Sequence, residues 1–417
     1  VNRAQPLPSA SERRSPRGRP DARDEACAPA WCATGLGAHP LRVLWVVSDI
    51  GRARAFEWVA ERSRQWRGLE LDFVFLGDPG NPTARRIADA GGRVTELPLR
   101  GKADWPRTLM ALTRAMRRRR PAVVHTHLFQ ANVLGLTAAR LAGVPHRMYT
   151  RHHATLHHRY HPKGVYWDRY CNASAHRIVS ISGVVAQVLV EREDVPPHKL
   201  AHIPHGFDLA EFATPDPGRA ARFRARHGVP ADARVIGLSS RYLELKGVEY
   251  AVRAFRGVHA AHPDTHLLLL NAAGPHAPVV RGALATLPPG SFTEVGFDED
   301  LPAAYGTMAC FVHVPVDPDV EAFGQVYVEA LAAGVPSVFT LSGIAPECVR
   351  HDENALVVPH RDAAAVEAAL LRLLTDAPLR DRLRQQAPGT VRAAFGVDRM
   401  TDALRDLYLD TCGRATA

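Results

Sequence analysis

The chain has 417 residues, of which 46% are hydrophobic and 23% charged, and a formal net charge of +9. That length and balance predict a soluble globular protein of two ordinary domains, not a fibrous or low-complexity one. No run approaches the roughly 20 apolar residues of a membrane span, and six scattered cysteines without Cys-x-x-Cys argue against a disulfide framework or zinc ribbon and fit a reducing, cytoplasmic setting. The basic balance suits anionic partners (nucleotide diphosphate, nucleic acid or acidic lipid) without choosing among them.

Residues 1–38 are rich in Arg, Pro, Ala and Ser and lack the apolar core of a signal peptide, so a disordered tail is predicted. From residue 41 short β runs alternate with helical segments. Strands are predicted at 41–48, 69–76, 93–97, 122–127, 146–150, 177–181 and 200–203, with helices to about residue 66 and at 105–120 and 130–142. The basic run Arg117, Arg118, Arg119 and Arg120 suits the negative end of a helix, and is also a candidate contact for acidic lipid. A Pro- and Gly-containing connection at 205–232 leads to a second set of strands at 234–238, 266–271, 292–295, 310–314, 337–340 and 356–358. Such alternation implies parallel sheets covered on both faces. The predicted fold is α/β, two facing Rossmann-like domains. Its divisions are a tail at 1–38, an acceptor-side domain at 39–206, a nucleotide-sugar-binding domain at 207–398, and a C-terminal helix at 399–417 that crosses back to the first domain.

The most informative stretch runs from Val314 to Pro336. Pro315 and Pro318 end a strand, and a proline-free helix is predicted from Gly324 to Ala333 with Val326, Ala330 and Ala333 as its apolar stripe. Gly334 and Pro336 stop it. The first N–H groups, around Phe323, Gly324 and Gln325, have no partner within the helix and can hold a phosphate. Glu321 before the helix and Glu329 within it can accept hydrogen bonds from hydroxyls on either side, the outline of a nucleotide-sugar. The Glu-x7-Glu spacing taken alone favours two solvated glutamates.

The second half also carries Gly237-Leu238-Ser239-Ser240-Arg241-Tyr242-Leu243-Glu244-Leu245-Lys246-Gly247, Gly343-Ile344-Ala345-Pro346-Glu347 and Asn354 to Pro359. With the Glu-x7-Glu unit, these resemble in order and interval the motifs of glycosyltransferase family 4, and the resemblance covers roughly residues 40–410. It implies the GT-B fold and a retaining, metal-independent glycosyltransferase that uses a nucleotide diphosphate sugar as co-substrate and no cofactor. Arg241 and Lys246 would hold the diphosphate, Glu321 the donor sugar, and Glu329 the ribose. Gly296 and Phe297, after another strand, would border the base. His127 matches the family's histidine near the transferred sugar, whereas His125 reads as a buried, satisfied residue.

Three features depart from the family pattern. Asp49-Ile50-Gly51-Arg52-Ala53-Arg54 offers one glycine, Gly51, where a double-glycine loop is usual whose backbone approaches the transferred group, so the resemblance implies Gly51 as a donor-binding residue. His205 replaces an asparagine in Ile203-Pro204-His205-Gly206-Phe207-Asp208, and Ala322 stands where glycine is common. Arg151 and His153 are candidates for the acceptor side. The run His152, His153, His157, His158 and His161 shows no helix pattern with a carboxylate partner, so no metal is expected. Expected partners are the donor, an unidentified acceptor hydroxyl (polysaccharide, lipid-linked or small molecule) and a peripheral membrane surface at its inner face, without specific nucleic acid. The alternatives are a nucleotide-sugar epimerase or hydrolase on the same fold, or a non-catalytic GT-B partner.

Overall fold

The computed structural model describes residues 40–413 apart from 49, 214 and 215, so the predicted tail lies outside the described residues. The first sheet contains β1 (Leu41–Ser48), β2 (Leu69–Gly77), β3 (Arg93–Pro98), β4 (Val123–His127), β5 (His146–Arg151), β6 (Arg177–Ser180) and β7 (Leu200–His202). The second contains β8 (Arg234–Ser239), β9 (Thr265–Leu270), β10 (Phe292–Val295), β11 (Met308–His313), β12 (Ser337–Phe339) and β13 (Leu356–Val357). Their spatial orders are 3-2-1-4-5-6-7 and 10-9-8-11-12-13. Every pairing between these strands is parallel. The central strands read as near-continuous apolar runs because helices cover both faces; β1, for example, buries seven of its eight residues.

Strand order reverses between β1 and β4 in one sheet and between β8 and β11 in the other. Chains leaving neighbouring strands there turn to opposite faces and open a crevice at the carboxyl edge, where α/β sheets bind ligands. Gly51 and His127 lie at the first crevice, Arg241, Lys246 and the segment carrying Glu321 at the second.

Two chain crossings join the lobes side by side. Phe207 N–H donates to Phe395 O at 2.8 Å, and Val397 N–H donates to Phe207 O at 3.0 Å. The last described helix, Val397–Thr411, then lays Met400, Leu404 and Tyr408 against Leu41, Val43 and Trp45 of the first sheet. Trp45 Nε1 donates to Tyr408 Oη at 2.8 Å, and that oxygen lies 2.6 Å from His125 Nδ1. His125 Nε2 lies 2.8 Å from Thr150 Oγ1. His125 is buried with both nitrogens engaged, a structural residue.

Candidate active site

The second crevice is built from two loops that grip each other. After β8 a single 3₁₀ turn, Glu244–Lys246, ends at Gly247 with φ of +63°. A Cβ at Gly247 would fall 2.2 Å from the carbonyl oxygen of Val314, so glycine alone lets this turn lie on the loop leaving β11. Val316 N–H donates to Leu245 O at 3.1 Å and fixes the contact. Across it, Lys246 Nζ donates to Glu321 Oε1.

Glu321 is 5% exposed, and its backbone is fixed from below. Its N–H donates to Ser342 Oγ at 3.2 Å, while that hydroxyl donates to Pro318 O at 3.1 Å. Burial pushes its carboxyl up, but Lys246 and His313 more than offset this and hold it below the ordinary value, so it is ionised at neutral pH. Arg241 is exposed at the same edge, and its guanidinium has no partner among the described residues. Glu321, a buried anion bound to Lys246, can accept from sugar hydroxyls, while Lys246 and the exposed Arg241 at the same strand edge can attract phosphate oxygens.

The helix runs Gln325–Ala332, one residue shorter at each end than predicted. Gly324 caps it with φ of +80°, and a Cβ there would meet the Tyr327 ring at 2.6 Å. The expected stripe is corrected: Val326 and Ala333 are only half-buried, whereas Tyr327 through Ala332 are all buried, because the helix is wedged between the sheet and the helix Ala377–Phe395. Glu329 is thus no solvated glutamate. Tyr305 Oη donates to its Oε2 at 2.9 Å, and burial pushes its carboxyl up to about 7. The Phe323 side chain is a packing group, its ring centroid 5.1 Å from that of His205 and 5.8 Å from that of Phe207. Phe323 can therefore serve a ligand only through its backbone. Gln325 is exposed at the helix start. Beyond β10, Phe297 is 69% exposed, and no atom lies within 4 Å of where a Gly296 side chain would begin.

At the first crevice, the loop around Gly51 is held by Thr83, whose hydroxyl donates to Gly51 O at 3.0 Å and accepts from Ala53 N–H at 2.8 Å. The two arginines that follow reach residues of the second half: Arg52 pairs with Glu299 and Arg54 with Glu211. The sequence reading missed these cations because it counted the absent glycine rather than the charges replacing it. It also passed over His313, buried at the end of β11 with neither ring nitrogen partnered and Nε2 3.8 Å from Glu321 Oε1.

His127 is 4% exposed and lines a small apolar cavity with Trp45, Phe56, His152 and His205. Its Nδ1 lies 3.3 Å from His152 Nε2, and its Nε2 has no partner. Burial, then the neighbouring histidines, pushes its pKa well down, so the ring is neutral and presents a buried, unfilled polar atom to the cavity. His205 stacks on His152, with ring centroids 5.5 Å apart.

Arg151 requires a correction. It is 1% exposed, with its guanidinium on Asp168 and Glu193, so it presents no free face to an acceptor. His153 likewise turns to Asp168, with Nε2 to Oδ2 at 3.2 Å. His157 Nδ1 reaches the same oxygen at 2.7 Å. The histidine run does have a carboxylate partner, supplied from the helix Gly164–Ser174 and not from its own segment. Of the arginine run, Arg117 donates to Leu141 O and Arg119 to Thr95 Oγ1.

The segment carrying Glu321 is also clasped by the first half of the chain. Thr155 Oγ1 donates to Asp319 O at 2.6 Å, Ser182 Oγ donates to Ala322 O at 2.5 Å, and Arg159 pairs with both Asp317 and Asp319 at 2.6 Å. Glu347, in the Gly-Ile-Ala-Pro-Glu turn, accepts from Gly183 N–H at 2.6 Å and so caps a helix of the opposite lobe. These contacts join the donor-side loop to both lobes, an arrangement able to exclude water from a bound phosphate ester.

Comparison with known proteins yields two family models, "Glycosyltransferase Family 4" over residues 58–211 and "Glycosyl transferases group 1" over residues 220–390. A GDP-mannose-dependent alpha-(1-6)-phosphatidylinositol monomannoside mannosyltransferase of Mycolicibacterium smegmatis is 35% identical over 43% of this chain, a stretch spanning 48% of that protein. A D-inositol 3-phosphate glycosyltransferase of Acidothermus cellulolyticus is 28% identical over 85% of this chain and 84% of its own length. Among solved structures, Anabaena HepE in complex with UDP and glucose superposes with a TM-score of 0.76 at 16% identity, covering 88% of this chain and 99% of that one. Sucrose-phosphate synthase from Thermosynechococcus elongatus gives 0.72 at 20% identity, covering 89% and 99%.

Proposed function

This chain belongs to glycosyltransferase family 4 of GT-B fold, and from that membership and its cleft we propose that it moves a sugar from a nucleotide diphosphate to an acceptor hydroxyl with retention of configuration. The observation that carries the reading is the buried Glu321 carboxylate beside Lys246 and the free Arg241 at the β8/β11 crevice. Glu321 orients the donor sugar. Arg241, Lys246 and the N–H groups at Gly324 and Gln325 neutralise the charge that builds on the departing phosphate, without a metal ion at that position. Glu329 accepts from the ribose hydroxyls, Phe297 flanks the base beside Gly296, and His127 meets the transferred sugar. The acceptor enters from the Gly51 side. Glu321, the buried carboxylate of the crevice, is already paired with Lys246, which favours attack on the face the phosphate leaves, the leaving oxygen taking the acceptor's proton.

Similarity to proteins named for GDP-mannose and for inositol 3-phosphate supports a nucleotide-sugar donor and a polyol acceptor, and the HepE complex supports a nucleotide seated in such a cleft. The test is a thermal-shift panel of nucleotide diphosphates and their sugars, since a ligand that binds the folded state raises the melting temperature. The preferred donor is then incubated with inositol-type acceptors, and the product's anomeric configuration is read by NMR. An α-linked product from an α-linked donor supports the proposal. Inversion, or a strict need for added Mg²⁺ or Mn²⁺, overturns its mechanistic part; free sugar or epimer as the sole product overturns transfer itself.

A further inference from the structure

Apart from the donor crevice, one polar cluster carries chemistry that sugar transfer does not use. His153 Nε2, His157 Nδ1 and Asp168 Oδ2 converge within 4.8 Å of one another, the nitrogens lying 3.2 and 2.7 Å from the shared carboxylate oxygen. Bonds of about 2.05 Å in a tetrahedron place its ligand atoms about 3.3 Å apart, so an ion between the three requires the His157–Asp168 pair to open from 2.7 Å by about half an ångström. The groups are held in place. The His157 ring lies against Gly164, where a Cβ would come within 2.7 Å of it, and is edge-on to Phe129 at 5.4 Å. Arg151 donates from Nε to the backbone oxygen of His153 at 3.1 Å and pairs through Nη1 with Asp168 Oδ1, orienting two of the three ligands from behind.

Charge points the same way. Asp168 and Glu193 are both buried against the single guanidinium of Arg151, two carboxylates to one fixed cation. Buried charges need partners, and a cation held by the three ligands would supply one. We propose that His153, His157 and Asp168 form a three-ligand site for a divalent transition metal of the zinc class, with water in the fourth position. Imidazole and carboxylate ligands suit that class better than calcium or magnesium. The site has a consequence for the cleft: His157 lies in the helix Leu156–Tyr160, and that helix also carries Arg159, the partner of Asp317 and Asp319. A bound ion would therefore fix the clasp on the Glu321 segment.

The experiment uses the full chain, stripped with chelator and titrated with Co²⁺ alone. One equivalent should bind with the strong visible absorption of a tetrahedral ion, and Zn²⁺ should displace it. His153→Gln should weaken binding by at least about 100-fold, the upper end of what removing a supporting group costs, with the metal-free melting temperature held near that of the parent. His161→Gln should bind as the parent does. X-ray absorption of the Zn²⁺-loaded parent needs no variant and should show two imidazoles at about 2.0 Å. Absence of saturable one-to-one binding, undiminished affinity in His153→Gln, or a shell without two imidazoles overturns the proposal; none of these outcomes bears on donor transfer.

Discussion

Two buried carboxylates on one short segment titrate in opposite directions, and their neighbours explain why. Glu321 has Lys246 and His313 beside it; Glu329 has the hydroxyl of Tyr305 and the weaker pull of Arg54, which do not offset its burial. Below about pH 4.5 the folded and unfolded chains both protonate Glu329. Between its ordinary value of 4.5 and about 7 the unfolded chain releases that proton while the folded one keeps it, so this group makes stability fall as pH rises through the window. Glu329→Gln should thus raise stability by up to about 3 kcal/mol above pH 7, read from urea denaturation midpoints, and by nothing near pH 4. The same variant should bind nucleotide diphosphate more weakly by calorimetry, since the amide offers one acceptor oxygen where the carboxylate offers two. Unchanged affinity would sink the ribose assignment. Arg241→Ala should lower turnover by about 100-fold or more with a smaller loss of nucleotide affinity, because its charge matters most as the phosphate departs.

At the scale of elements, the donor crevice exists because one turn fits against one loop. Gly247→Ala sets a Cβ onto Val314 O and imposes a left-handed backbone on an L-residue. A loss of roughly 2–4 kcal/mol is expected, with weakened nucleotide binding because Lys246 is displaced from Glu321. A variant that melts and binds like the parent would show that the turn does not position the lysine. The Gln325–Ala332 helix teaches a related lesson. Its length and cap follow from Gly324 and Gly334, but its burial on all sides follows from Ala377–Phe395 packing over it.

For the whole molecule, the decisive feature is that the chain crosses between lobes twice, at Phe207 and at Gly396. The returning helix gives the first sheet a buried phenol that satisfies Trp45 and His125 together. Tyr408→Phe removes that hydroxyl and strands two buried polar groups, which should cost about 1–3 kcal/mol in chemical denaturation with an unchanged slope. A shift of a few tenths would mean that water replaces the hydroxyl. Among the described residues no helix is long and apolar enough to cross a membrane.

Local pattern was enough to mark all thirteen strands and the helix ending before Gly334, because backbone preference and apolar period act over a few residues. Order along the chain likewise announced two parallel sheets, since short β runs alternated with helical segments able to cover them. Tertiary structure alone decided which groups meet. It buried Arg151 between two acids, gave His153 and His157 a carboxylate 11 to 15 residues away, and brought Arg52 and Arg54 to Glu299 and Glu211. Charge pairing and desolvation depend on distances that no spacing encodes, so the roles of ionisable side chains were set by the packing of the lobes.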